Sequence, residues 1–210
     1  MVTRQEVGRS SRSSSSSWML ARLAHETHAQ HDVIDDLILT PLVAPTRARY
    51  RHYLARMYGF EAPLGCALVV ASGLEPAFVV PRVRAGWLAH DLMALGLTPA
   101  EAAVLRQRHV VPSFASGVEA LGWLYVIERT TLRHDLLRRR LARALPQEIA
   151  DAGAYLGCYR TRARDAWGEL GALLDRTACS VAAVASIISA ARAGLASQQA
   201  WLARTQLPPP

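Results

Sequence analysis

The chain has 210 residues, 51% of them hydrophobic and 7% aromatic, and a formal net charge of +7. That length can bury a sizeable core in one domain, and the abundance of Ala and Leu favours packed helices over a sheet. Every basic residue is arginine and most are interspersed with acids, which disfavours nucleic acid as the partner because no dedicated basic arm exists.

Residues 1–17, with Arg4, Arg9, Arg12 and five consecutive serines, read as a disordered tail without the apolar core of a secretory signal. A folded domain is expected over 18–206, followed by a proline tail at 207–210. The apolar positions Leu20, Leu23, Val33, Ile34 and Leu37 predict a first helix from Trp18 to Leu37. Thr46 is placed to cap a second helix from Arg47 to Phe60, which continues past Gly59 and Pro63 to Val70. A loop is expected over 71–81, then a helix from Val83 to Leu95 ending at Gly96. Thr98-Pro99-Ala100-Glu101 predicts a capping box opening a short helix that closes before Pro112. Longer helices follow over Phe114–Leu145, Glu148–Leu174 and Ser180–Arg204. No strand alternation or internal repeat interrupts them, so the expected fold class is all-α, a single-domain multi-helix bundle of six to eight helices.

No apolar run is read as long enough to span a bilayer, so no membrane partner is expected. Cys66, Cys158 and Cys179 are too scattered for a C-x-x-C site and read as small core residues of a cytoplasmic protein. Trp87, Trp123, Trp167 and Trp201 are expected to fill interhelical gaps. His90 beside Asp91, and His109, read as helix-surface or helix-end residues and not ligands. Arg138, Arg139, Arg140 and Arg143 lie where cations complement a helix dipole, with docking of a reductase as the alternative.

The richest stretch is Leu23 to Asp35, with three histidines and three acids in thirteen residues. His31 and Asp35 are one helical turn apart, the spacing of a metal-ligating imidazole whose second ring nitrogen donates to a carboxylate. His28 is three residues before His31 and is placed to share that site. The competing reading is a solvated polar helix face.

These residues resemble the haem oxygenase family, particularly the bacterial branch found with phytochrome-type photoreceptors, over about residues 20–202. Leu23, Thr27, His31 and Asp35 fall in the places of the family's L-R-x-x-T-x-x-x-H-x-x-x-E, with Ala24 where a basic residue stands. Tyr58 to Leu64 is similar to Y-G-F-x-x-P-L, and Arg84 to Gly96 to R-x-x-x-L-x-x-D-L-x-x-L-G. Gly122 to Glu128 resembles the approach to the distal helix, and Tyr155 to Trp167 the helix after it. The resemblance implies a haem oxygenase-like bundle with haem as cofactor and substrate. His31 would be the iron ligand, oriented by Asp35, and an external reductase would supply electrons for cleavage to biliverdin, iron and carbon monoxide. It places Thr130 and Arg133 on the distal, catalytic side, and makes His28 and Arg192 the candidates for holding the propionates.

The resemblance fails where the family has G-S-T-L-G-G, because this chain reads Arg129-Thr130-Thr131-Leu132-Arg133-His134. The family's glycines let backbone pass over the macrocycle, so Arg129, Arg133 and His134 fill the space they leave. Two expectations compete. Either the arginines pair with an acid such as Asp35 or Glu128 and close the site, leaving a catalytically silent fold that binds another planar or anionic ligand or a partner. Or the helix stands further off and haem binds between His31 and His134, with Arg129 alongside it.

Overall fold

The helices follow from local capping and from which face each can bury. A computed structural model describes residues 17–106, 111 and 113–204. Helix α1 is Trp18–Glu26 and α2 is His28–Leu39, with a short 3-10 turn at Thr40–Leu42. Helix α3 is Arg47–Val69, α4 Pro76–Val79, α5 Ala85–Ala94 and α6 Pro99–Arg106. Then come α7 Gly117–Thr131, α8 His134–Ala144, α9 Pro146–Asp151, α10 Ala163–Thr177 and α11 Val181–Arg204. Among the described residues there is no strand, and buried apolar side chains from Met19 to Leu202 form a single core. The predicted tails lie outside the described residues except for Ser17, whose hydroxyl caps α1 and ties it to Asp175 of α10.

The predicted caps are present. Thr46 accepts from Arg49 N at 3.2 Å, and the Thr98–Glu101 pair closes a reciprocal capping box. Gly96, at φ +90°, ends α5 in a conformation that a side chain would strain. The segment 71–81, expected as a loop, instead contains α4 and the start of a 3-10 turn at Val80–Arg82.

Three predicted helices are broken. The first divides at Thr27, whose hydroxyl donates to Leu23 O at 2.6 Å. The 114–145 helix divides at Leu132 and Arg133, and the 148–174 helix is interrupted from Ala152 to Arg162. In that last gap the buried Asp91 carboxylate accepts from Ala154 N and Tyr155 N, taking over two donors that a continuous helix would use internally.

Helices α7 and α11 cross tightly, and α2 also packs against α11. A Cβ on Gly122 would lie 2.6 Å from both Ile187 O and the Ala190 Cβ. Gly122→Ala is therefore expected to cost about 2–3 kcal/mol by prising the helices apart. By contrast, Gly168→Ala on α10 meets nothing within 4 Å and should gain about 0.5–1 kcal/mol. Chemical denaturation of the two variants reads both signs. Helix α11 has the length and composition to cross a membrane, against the sequence expectation, yet in the fold it supplies core residues such as Ile187, Ala191 and Leu195. Trp123 and Trp201 are buried as expected, but Trp87 is 51% exposed, and Cys66 and Cys179 are exposed instead of lying in the core.

Candidate functional site

Helix α2 presents His31, Ile34, Asp35 and Ile38 inward, at the three- and four-residue spacing of one helical face. Helix α7 meets it with Tyr125 and Arg129, again four residues apart. His31 and Asp35 therefore sit next to each other on the buried side, as the sequence pattern requires. Their partners differ from the expected ones.

His31 Nε2 lies 2.9 Å from Thr27 Oγ1 and 3.2 Å from the Tyr125 hydroxyl. Because the Thr27 proton is committed to Leu23 O, these partners favour a proton on Nε2 donating to Thr27. Burial, reinforced by the Arg129 guanidinium, depresses the imidazole pKa to about 4, so the ring is neutral at physiological pH. The expected imidazole–carboxylate hydrogen bond is absent because Asp35 is engaged elsewhere. Arg129 grips it in bidentate fashion at 2.9 and 3.1 Å, and Arg133 Nε adds a third bond at 3.0 Å. Burial pushes the Asp35 carboxyl up, but the hydrogen bonds from the two arginines outweigh it and hold the group below its usual range. The distal arginines pair with Asp35, the ion pair named in the first of the two expectations.

The remaining candidates are dispersed. Thr130 donates to Val126 O at 3.2 Å along its own helix, with Gln198 beside it, so its hydroxyl serves the α7–α11 packing. His28 is exposed and holds His25 O, while Arg192 is exposed and bonds Glu26 at 2.7 Å. His134 is buried, but it packs at a tilt against Tyr155 with ring centroids 4.5 Å apart and lies 3.8 Å from Cys158 Sγ. It belongs to a different cluster from His31, so no bis-histidine pair is formed. His90 is mostly exposed beside Asp91, and His109 lies outside the described residues. Among the described residues no group of three or more His, Cys, Asp or Glu is arranged to hold a metal ion.

That second cluster went unrecognised in the sequence. Arg84, at the start of α5, is fully buried between Glu61 of α3 at 3.2 Å and Glu128 of α7 at 2.9 Å, and donates to Ile127 O at 2.6 Å. Tyr155 donates to Glu61 at 2.5 Å and Tyr159 to Glu128 at 2.7 Å. Burial pulls the Arg84 guanidinium down, but the two carboxylates more than reverse it and fix the positive charge. Burial pushes the Glu61 carboxyl up and holds the His134 imidazole well below its ordinary value. The only sequence signal was two acids and an arginine inside otherwise apolar segments.

A haem held by His31 would need a lone pair free on that imidazole and a slot between α2 and α7. The residues present do not fit such a slot, because Tyr125 and Arg129 reach directly across to His31 and Asp35 of α2. Two clefts lie elsewhere. One, about 480 Å³, runs between α3 and α6 past Arg51, Ala55 and Val104; the other, about 400 Å³, runs between α1 and α11 past Arg22, Val184 and Ile188.

No protein-family profile and no curated protein matches the chain significantly. Among solved structures it is similar to a haem oxygenase from Neisseria meningitidis studied with NO and CO bound. The TM-score there is 0.68 at 23% identity, covering 89% of this chain and 91% of that one. It is also similar to haem oxygenase 2 from Chlamydomonas reinhardtii, solved without haem, with a TM-score of 0.69 at 16% identity, covering 90% and 98%. The chain has the haem oxygenase fold.

Proposed function

We propose that this chain is a catalytically silent relative of the haem oxygenases, divergent from the bacterial branch its motifs resemble, which works by binding a partner. The observation that carries this reading is the Arg129–Asp35–Arg133 clasp. It ties α7 and the approach to α8 onto α2, and it uses two of the three side chains that replace glycines of the family pattern. An arginine released from that clasp against an apolar macrocycle would leave a partly buried charge unpaired, which is costly. The Tyr125–His31 contact closes the same gap from the α7 side. With the haem slot filled by side chains, function falls to the surface of the bundle.

A second reading, haem oxygenase turnover to biliverdin with an external electron donor, is favoured by one observation. His31 is buried, neutral and on the face of α2 that meets α7. Incubation of the purified chain with haemin, followed by ascorbate under air, separates the two. The clasp predicts no saturable Soret band and no biliverdin absorption. A Soret band that is lost in His31→Ala and decays to biliverdin would establish the enzyme instead.

A further inference from the structure

Helix α8 has a second face that the fold leaves uncovered. Its inward side is His134, Leu137 and Leu141, all buried, at a spacing of three and four. The opposite side carries Leu136, Arg139 and Arg143, each one turn beyond the last and flanked by Arg138 and Arg140, with Leu132 just before the helix in the turn that joins it to α7. Leu132 and Leu136 are 49% and 47% exposed, two large apolar side chains four positions apart at the start of this side. The four arginines face a single acid on this ridge, Asp135, which pairs with Arg139 across an exposed i,i+4 contact of little worth. Arg138, Arg140 and Arg143 are exposed and make no ion pair among the described residues. The helix dipole accounts for Arg143 in the last turn but not for the arginines before it.

We propose that this outer ridge of α8 docks an acidic amphipathic helix of a partner protein. Its leucines would seat on Leu132 and Leu136, and its carboxylates would be held by Arg139, Arg140 and Arg143. Guanidinium groups match carboxylates in bidentate geometry, and an apolar patch rimmed by arginines has the composition of an interface centre. From Leu136 to Arg143 the ridge spans about 10 Å, room for two turns of a facing helix. A phosphodiester backbone offers nothing apolar to cover the two leucines. A bilayer surface would call for apolar or aromatic residues along the whole face, whereas here they occupy one end only. The inference deepens the partner-binding reading above and rests on it.

The test uses the full chain and a labelled synthetic helix of about 18 residues, with leucine on one face and glutamate on its flanks, followed by fluorescence anisotropy. A scrambled peptide of the same composition serves as control. The wild type should bind the patterned peptide at least tenfold more tightly than the scrambled one. Arg139→Glu with Arg143→Glu, or Leu136→Ser alone, should weaken binding at least tenfold while the thermal melt is unchanged. Arg164→Glu with Arg176→Glu makes the same charge change elsewhere on the surface and should keep binding within twofold. Equal binding of the scrambled peptide, or equal loss in the Arg164/Arg176 variant, would reduce the effect to net charge and overturn the proposal. Tighter capture by phosphatidylglycerol vesicles or duplex DNA would overturn it in favour of those partners. Haemin turnover by the same preparation would reject the underlying reading; loss of patterned binding without turnover rejects the ridge alone.

Discussion

Arg84→Met is expected to be among the most damaging single substitutions in the chain. Its guanidinium is the counter-charge for Glu61 and Glu128, and all three side chains are about 1% exposed. Methionine fills much of the volume but leaves Glu61 in the interior without a cation, and Glu128 with only the Arg82 guanidinium 3.9 Å away. Breaking a buried ion pair from one side costs about 3–5 kcal/mol, and here Glu61 is stranded while Glu128 loses the nearer of its two cations. For a domain of this size, that is a fall in Tm of roughly 10 °C. The pH dependence distinguishes charge from packing. Stranded carboxyls bind protons more tightly folded than unfolded, so their stability contribution is present at low pH and is lost as pH rises. The deficit of the variant should therefore be smaller at pH 5 than at pH 8 in urea unfolding. A deficit independent of pH would mean that the packing around Arg84, and not its charge, is what matters.

His31→Gln is expected to flatten the acid limb of the stability curve. The folded imidazole, held down by burial, resists protonation until about pH 4, whereas the unfolded one takes up a proton near its ordinary value of 6.5. Over that window the unfolded state binds more protons, so stability rises with pH and is lost as pH falls from 6.5 to 4. The shift corresponds to about 3 kcal/mol lost across the window through this one residue. Glutamine does not titrate and can still bond to Thr27 and Tyr125, so the difference between the two curves isolates the imidazole. His134 is displaced in the same direction and contributes equally to both curves. Below that window the depressed Asp35 carboxyl adds its own loss as the arginine clasp is protonated apart. Parallel curves for wild type and His31→Gln between pH 4 and 6.5 would mean that the ring is as accessible as in the unfolded chain.

The legible parts of this fold were those that local chemistry decides. Thr46, the Thr98–Glu101 box and Gly96 set helix ends by bonds and backbone angles within a few residues of themselves. The breaks were not legible, because Ala- and Leu-rich sequence carries helical periodicity through them. The interruption after Asp151 depends on Asp91, more than sixty positions earlier in the chain, capturing two backbone donors. At the site, the spacing of His31 and Asp35 correctly places both on one buried face, and the loss of the distal glycines points to arginines competing for an acid. What spacing cannot show is which partner an acid takes. Asp35 had an imidazole one turn away and two guanidinium groups on other elements, and the bidentate charge-assisted bonds prevailed. Tyr125 was unremarkable inside an apolar run until the fold set its hydroxyl against His31.

The most direct measurement is a haemin titration of the wild type beside Arg129→Gly/Arg133→Gly, followed by Soret absorption. If side chains have replaced the cofactor, the wild type gives no saturable band. The double variant, with the clasp removed and glycine restored on α7 at 129 and in the turn before α8 at 133, gains a band at one equivalent that is lost again when His31→Ala is added. A wild-type chain that binds one equivalent of haem through His31 would contradict the account.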